Sequence, residues 1–308
     1  MERCLATGPR SSKPGSGSTP TAGHAGPPTS PTPPAREPSS QAVEVKKRKK
    51  IRRGRGGKRT HFKDCDNVVN KWKIYHLNIR GFKSRSNSLQ SIVQGLDVDI
   101  VTLNEHGLKN KQKMKMSGFK SYTKNRFNSS MGGVSTSIKD NDVPNALKIT
   151  EGKDENEYIV TRHGQFHPAI NIVNVYGCQK STPVTKIEEN WNQILGEVIK
   201  IERKGENVIL LGDMNVSIGN DDLGVTGNDS FISNGGHIIR RFLQDGKFLL
   251  VNNTKLAKGG PFTRRDPADK SKQSLLTLVI ASKKATKKRN ITSDHFPVIV
   301  TMKTCQKI

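Results

Sequence analysis

The stretch Asn207–Asn215 has the sequence NVILLGDMN. Residues 208–211 are wholly apolar, and a glycine follows them. A short apolar run of this kind is typical of a strand buried in a sheet that is covered on both faces. The run leads directly to Asp213 and Asn215, whose side chains point to the same side if the chain stays extended. Two interpretations follow: a core strand that presents an active-site carboxylate and amide, or a strand followed by an ordinary polar turn.

The charge of the chain points to a polyanionic partner. The 308 residues carry a net charge of +25, from 52 Lys and Arg against 27 Asp and Glu. Residues 71–308 alone contain 37 and 22, so this part is itself basic by +15. A basic domain favours nucleic acid, and we expect DNA as the partner. Acidic membrane lipid is the weaker alternative, because no basic helix with a strong apolar face is evident, and no membrane association is expected.

The cysteines and the hydropathy pattern set the expected environment. The four cysteines show no CxxC spacing, so neither a zinc site nor a disulfide framework is predicted. The first residues lack the apolar core of a signal peptide, and no run approaches the roughly 18 apolar residues that span a bilayer. We expect a soluble, intracellular protein, and a monomer.

Two segments precede the predicted domain. Residues 1–45 are rich in Pro, Ser, Gly and Thr, and hold too few large apolar side chains to offset the entropy lost in folding, which predicts a disordered tail. Residues 46–70 form a basic arm and linker that begins with KKRKKIRRGRGGKR. Such a run is typical of a nuclear localisation signal or a nucleic-acid-binding arm, and a solvated tail without a specific role is the alternative. The expected location is nuclear, otherwise cytoplasmic.

From residue 71 onward, strand and helix patterns alternate, which predicts an α/β domain over 71–308. Strands are predicted over 72–81, 98–108, 134–139, 157–163, 169–177, 207–213, 248–254, 274–282 and 293–303. Helices are predicted over 86–96, 184–205 and 235–246, and a charged turn over 283–290. The first strand–helix–strand unit predicts a parallel pair with a right-handed crossover.

Polar side chains lie within or directly after five of these strands. They are Asn78, Glu105, Asn174 with Tyr176, Asp213 with Asn215, and Asp294 with His295. Parallel pairing of the first two strands places Asn78 and Glu105 at the same edge of the sheet. Asn78 as a turn residue and Tyr176 as an ordinary strand aromatic are the alternatives for those two positions.

At these motifs the sequence resembles the endonuclease/exonuclease/phosphatase superfamily. The resemblance covers essentially all of 72–303 and is carried by LNIRG, LNEHG, NVYG, LLGDMN, SLLTLVIAS and SDHFPV. NVYGCQ, SNGGHIIRRFLQDGKFLLVNNT and GGPFTRRDPADKS are similar to the apurinic-type endonuclease domains of non-LTR (LINE-like) retrotransposons. The fold implied is the DNase I-like four-layer sandwich, in which two mixed β-sheets pack face to face with helices outside.

The resemblance also implies a chemistry, the Mg²⁺-dependent nicking of DNA, with Mn²⁺ as a substitute ion. The implied metal ligands are Glu105, Asn78 and Asp294, which offer the hard oxygen atoms that Mg²⁺ prefers. The implied catalytic residues are Asp213, which activates the attacking water, and Asn215, His295, Tyr176 and Asp294 around the phosphate. The implied substrate-binding residues are Asn174, Gln179 and Arg264.

Three positions depart from the family pattern. Thr277 stands where relatives usually have an Asp that orients the catalytic His, Arg264 stands where they usually have Trp, and Arg80 stands where some repair enzymes have an acidic residue. Loss of an orienting carboxylate lowers the rate of His–Asp enzymes. A DNA-nicking endonuclease weakened by Thr277 is therefore the first hypothesis. A catalytically weak nucleic-acid-binding module, or a phosphoesterase on another phosphate, is the alternative.

Overall fold

The computed structural model describes the chain from residue 69 onward with gaps. The described residues are 69–109, 111–126, 132–153, 155–219, 231–254, 257–258, 264–265, 273–274, 277–288, 292–294 and 298–305. All of them belong to one compact unit, Phe62–Ile308. The predicted tail over 1–45 and residues 46–68 of the predicted arm and linker over 46–70 lie outside the described residues.

The described residues form fifteen strands and four helices. The strands are β1 (Val69–Asn78), β2 (Ile100–Asn104), β3 (Phe119–Lys124), β4 (Val134–Lys139), β5 (Ala146–Glu151), β6 (Glu157–His163), β7 (Ile170–Tyr176), β8 (Asn207–Asp213), β9 (Phe248–Leu250), β10 (Ala257–Lys258), β11 (Arg264–Arg265), β12 (Gln273–Ser274), β13 (Thr277–Ser282), β14 (Thr292–Asp294) and β15 (Val298–Cys305). The helices are α1 (Phe82–Leu96), α2 (Val184–Arg203), α3 (Asn234–Gln244) and α4 (Lys283–Lys288), with 3-10 turns at Asp140–Asn145 and Val251–Asn253. None of the helices in the described ranges is long and apolar enough to cross a membrane.

The strands form two mixed sheets and a short ribbon. The first sheet has the order β10-β14-β15-β1-β2-β4-β3, and the second has the order β5-β6-β7-β8-β13-β9, while β11 and β12 pair separately. β1 and β2 are parallel, as are β7 and β8, and most other neighbours are antiparallel. The parallel pairs put Asn78 opposite Asn104 in the first sheet and Tyr176 opposite Asp213 in the second. In each sheet, the carboxyl ends of two parallel strands therefore lie side by side.

The packing produces four layers. An apolar cluster that includes Ile74 and Ile100 of the first sheet and Ile172 and Ile209 of the second fills the space between the two sheets. A second cluster lies under α2 and α3 on the outer face of the second sheet, and a third lies under α1 on the outer face of the first sheet. The predicted sandwich of two mixed sheets flanked by helices is confirmed.

The packing of β8 explains why residues 208–211 are all apolar. Val208 and Leu210 point into the cluster under α2 and α3, whereas Ile209 and Leu211 point into the cluster between the sheets. All seven residues of the strand are buried. A strand covered on both faces cannot alternate polar and apolar residues, so the continuous run is the signature of its central position.

Several elements differ from the sequence prediction. β3 and β5 were not predicted, because they are edge strands with many half-exposed or exposed residues and carry no clear apolar period. Helix α1 begins at Phe82 rather than at residue 86, after a Gly81 N-cap with a φ of 102°, and its Ile92 is exposed. The predicted charged turn over 283–290 begins instead with helix α4.

Candidate active site

Four polar side chains from four different strand ends meet at one edge of the sandwich. Asn78 Nδ2 donates to Glu105 Oε1 at 2.8 Å and to Asp213 Oδ2 at 2.7 Å. Tyr176 OH donates to the same Glu105 oxygen at 2.8 Å. Asn78 and Glu105 belong to the first sheet, and Tyr176 and Asp213 to the second, so these bonds join the two sheets. The structure therefore brings together four of the residues that the sequence predicted at the site.

The backbone turns sharply as it leaves these strands. Glu105 and Asn215 have φ values of 53° and 51°, in the left-handed region that favours glycine. Asn215 therefore does not extend the strand beside Asp213: its Nδ2 donates to Gly177 O at 2.9 Å, and its backbone N–H donates to Asp213 Oδ1 at 3.3 Å. Gly177 is required at that contact, because a Cβ there would lie 1.9 Å from Met214 O.

Asn174, predicted as a substrate-binding residue, lies inside the fold. Its side chain is fully buried, and its Nδ2 donates to Ser135 O at 2.8 Å, which ties the two sheets together. Its Oδ1 accepts from Asn104 Nδ2 at 3.2 Å, and Asn104 Oδ1 in turn accepts from the backbone N–H of Asp213 at 2.8 Å. With its amide bonded inside the fold, Asn174 supports Asp213 through Asn104. The only sequence signal for Asn104 was its place at the end of an apolar strand, directly before Glu105.

A buried ion pair lies beside Tyr176. Arg126 Nε donates to Glu157 Oε1, and the guanidinium carbon of Arg126 lies 5.3 Å from the centroid of the Tyr176 ring. Glu157 also accepts from the backbone N–H of Gly133, and it is opposite Tyr176 in the β6–β7 register. Burial raises the pKa of the Glu157 carboxyl, and the charge of Arg126 opposes that shift. No sequence pattern indicated this pair, because Arg126 lies in a long basic stretch.

The hydroxyl of Tyr176 is held in its protonated form. Burial, followed by the negative charge of Glu105 and the hydrogen bond to it, raises the pKa of Tyr176 to about 12. A hydrogen bond with the Gln179 side chain acts in the opposite direction. Tyr176 is therefore a hydrogen-bond donor at neutral pH. Gln179 lies close to the site, as predicted.

Three predicted residues lie wholly or partly outside the described part of the chain. His295 is outside it altogether, and only the backbones of Asp294 in β14 and Arg264 in β11 are described. Thr277 is described: it lies opposite Asp213 in the antiparallel pair of β13 and β8, with 8% of its surface exposed.

The oxygen atoms at this edge fit a divalent cation. The described residues contain no group of three His, Cys, Asp or Glu side chains that could hold a metal ion. However, Asn78 turns its nitrogen to two carboxylates, which leaves its buried Oδ1 without a hydrogen-bond partner among the described residues. The two acceptors fix that amide orientation. A free amide oxygen next to the Glu105 carboxylate is the hard donor set that Mg²⁺ prefers.

Comparison with known proteins places the chain in a family. The sequence profile described as the Endonuclease/Exonuclease/phosphatase family matches residues 75–272. The chain belongs to this family. No curated protein matches the sequence significantly.

Solved structures share the fold of this family member. The catalytic domain of Xenopus laevis APE2 is 18% identical, with a TM-score of 0.61 over 77% of this chain and 93% of that domain. The 3′ phosphatase NExo from Neisseria, bound to product DNA hairpin, is 17% identical, with a TM-score of 0.57 over 77% of this chain and 100% of that one. The endonuclease domain of TRAS1, a telomere-specific non-LTR retrotransposon, is 12% identical, with a TM-score of 0.55 and the same coverage. The predicted DNase I-like fold is confirmed.

Proposed function

We propose that this protein is a DNA-nicking endonuclease that hydrolyses phosphodiester bonds with the help of Mg²⁺. The observation that carries the proposal is the double hydrogen bond of Asn78, which holds the Glu105 and Asp213 carboxylates side by side at the mouth of the sandwich. Glu105 lies beside the free amide oxygen of Asn78, which suits metal binding. Asp213 is held by a backbone donor and an amide donor, which suits a general base.

The residues divide the chemistry between them. Glu105 and Asn78, with Asp294 as a third predicted ligand, would hold Mg²⁺ or Mn²⁺, which supplies stabilisation of negative charge on phosphate oxygens. Asp213 takes the proton of the attacking water. Its Oδ2 accepts from Asn78 and its Oδ1 from the backbone N–H of Asn215, so the carboxylate is oriented before substrate arrives.

Hydrogen-bond donors around the carboxylates would bind the phosphate. Tyr176 keeps its proton at neutral pH, since its pKa is raised to about 12, and with substrate bound its O–H would turn from Glu105 to donate a hydrogen bond to a phosphate oxygen. Gln179 offers an amide next to it. We further propose His295 as the donor to the developing phosphoryl charge, Asn215 as a group that holds the phosphate, and Arg264 as a substrate-binding residue.

Nucleic acid is the substrate that fits the charge of the chain. The domain is basic by +15 and follows a basic run at 46–59. The Neisseria neighbour is described with a DNA product. We further propose the layout of a tail over 1–45, an arm over 46–70 and a domain over 71–308, a nuclear location, and an origin in a non-LTR retrotransposon, which the similarity to the TRAS1 domain supports.

Nicking of supercoiled plasmid in the presence of Mg²⁺ tests the proposal. The wild-type chain should convert supercoiled DNA to the open circle, and Asp213→Ala should abolish this conversion. Asp245→Ala is the matched control, because Asp245 is an exposed carboxylate at the end of α3. Binding of DNA without nicking would support the catalytically weak module that Thr277 suggests. Release of inorganic phosphate or a lipid headgroup without nicking would support a phosphoesterase.

A further inference from the structure

A cavity of about 680 Å³ adjoins the candidate active site. It lies between the connection from β5 to β6, the loop that follows β7, and the first turns of α2. Tyr176 and Gly177 form part of its wall, and both also belong to the site described above. A ligand in this cavity would therefore touch the group that binds at Tyr176.

The charges of the described residues around the cavity cancel. Within the described part of the chain, three basic and three acidic side chains line it, among them the ion pairs of Arg126 with Glu157 and of Lys186 with Glu155. A subsite for phosphate needs uncompensated positive charge. The cavity is therefore suited to a polar ligand without net charge.

Neutral amides supply the hydrogen-bonding groups of the wall. Asn190 Nδ2 donates to Asn156 Oδ1 at 2.6 Å, and Asn156 Nδ2 donates to Gln193 Oε1, so the three amides form a chain of hydrogen bonds. Only 3% of the surface of Asn190 is exposed, and its Oδ1 has no hydrogen-bond partner among the described residues. A buried acceptor without a donor costs free energy, which a ligand N–H would recover.

We propose that this cavity binds an unpaired nucleobase next to the phosphate that is cut. A nucleobase is neutral and flat, and the exocyclic amine of adenine or cytosine would donate to Asn190 Oδ1. The guanidinium of Arg126, held in place by Glu157, offers a planar surface on which a base can stack. Adjacency to the cut rests on the proposed function. The inference adds that the preferred substrate has an unpaired base at this point, such as an overhang, a loop or a frayed end.

Binding of DNA that carries a single abasic nucleotide tests the subsite without relying on cleavage. The full chain is titrated, in the absence of divalent metal, into labelled hairpins with a six-adenine 3′ overhang or a six-adenine loop. Each adenine is replaced in turn by an abasic nucleotide, and the dissociation constant is measured by fluorescence anisotropy. Removal of one particular base should weaken binding by about tenfold, which is the effect expected for loss of one stacked and hydrogen-bonded base.

Two variants locate that base. Asn190→Leu should remove most of the sensitivity to the abasic nucleotide. Asn207→Leu should retain it, because Asn207 is also buried with a partnerless Oδ1 in the described chain, but lies at the opposite end of β8 from Asp213. If Asn190→Leu does not fold, Thr182→Trp takes its place. Thr182 is a half-exposed residue of the cavity wall, and a tryptophan there should block the cavity.

The nucleobase subsite and the proposed endonuclease would be overturned by different results. Equal affinities for all abasic hairpins, or equal sensitivity in Asn190→Leu, Thr182→Trp and wild type, would overturn the nucleobase subsite and leave an ordinary hydrated cavity. Absence of plasmid nicking in the wild type would overturn the proposed endonuclease, but not a base dependence seen in the binding data.

Discussion

Thr277 lies directly opposite Asp213, where β13 and β8 pair antiparallel across the edge of the candidate active site. Both residues are largely buried, with 8% and 7% of their surfaces exposed. The backbone of β13 is fixed at this end, because Asn252 Nδ2 donates to Thr277 O at 3.3 Å and its Oδ1 accepts from Val279 N–H at 2.6 Å. The backbone of β13 is therefore fixed at the position where the family resemblance leads us to expect a carboxylate and where this chain has a threonine.

Thr277→Asp is expected to raise the rate of plasmid nicking by at least about tenfold, because a carboxylate at this position would orient and stabilise the catalytic histidine. The substitution should also lower thermal stability, since it places two carboxylates opposite each other in adjacent strands. Both effects are measured on the same protein, by a nicking time course with Mg²⁺ and by thermal unfolding.

Thr277→Asn provides the matched comparison, because it supplies an amide of the same size as the Asp carboxyl but no charge. If Thr277→Asn raises the rate as much as Thr277→Asp, then shape rather than charge is missing in the wild type. If neither variant exceeds the wild type, the threonine does not impair the enzyme.

The sequence predicted those parts of the fold in which local pattern and burial agree. β8 is apolar because both of its faces are covered, and α2 shows a clear stripe that includes Trp191, Ile194 and Val198, all buried. β3 and β5 were not predicted, because an edge strand pairs with a neighbour on one side only and tolerates a mixture of polar and apolar side chains. Each pairs with the next strand of the chain, β4 and β6 respectively, so the missing signal is their mixed side-chain pattern and not a distant partner.

Site residues at the ends of strands could be predicted from the sequence, whereas site residues in connecting segments could not. Asn78 and Glu105 could be placed together because parallel strands present their carboxyl ends at one edge, whereas Asp213, in the other sheet, joined them through the family resemblance. Asn174 faces the same side of β7 as Tyr176, but it lies two residues further from the strand end, so its amide bonds between the sheets. Arg126 reaches Tyr176 from a connecting segment, and its partner Glu157 is defined only by the tertiary fold.

Metal binding is expected to stabilise the folded protein. Addition of Mg²⁺ should raise the melting temperature of the wild type by a few degrees, because an ion that binds only the folded state shifts the unfolding equilibrium. Glu105→Gln should lose most of this rise, since it removes the carboxylate charge while keeping a side chain of the same size. Glu188→Gln, an exposed position on α2, should melt and respond to Mg²⁺ as the wild type does. An equal Mg²⁺ response in all three proteins would mean that Glu105 is not a ligand.

The Arg126–Glu157 pair is expected to support Tyr176 as well as the fold. Arg126→Gln should lower the free energy of unfolding by about 1–3 kcal/mol, because it leaves the Glu157 carboxylate buried without its cation. It should also lower the nicking rate, since the ring of Tyr176 loses the guanidinium that covers it.

A double-mutant cycle separates the two effects of this pair. Arg126→Gln together with Glu157→Gln should regain stability, because no buried charge remains, while nicking stays low. Lys186→Gln breaks the exposed ion pair with Glu155 and should change stability by less than about 1 kcal/mol. Full recovery of nicking in the double variant would show that Arg126 has only a structural effect.

His163 is expected to make the fold sensitive to acid. Its imidazole is fully buried in β6, with Nε2 at 3.1 Å from Thr161 Oγ1, and burial lowers its pKa to about 4. Because the folded pKa is below the unfolded value of about 6.5, the unfolded chain binds more protons between these limits. Stability from this group is thus complete above pH 6.5 and is lost as the pH falls toward 4, by up to about 3 kcal/mol. Urea unfolding from pH 7 to pH 4 should show a shallower decline for His163→Gln than for the wild type, whereas the exposed His237→Gln should follow the wild type. Parallel curves for His163→Gln and wild type would mean that other groups cause the acid response.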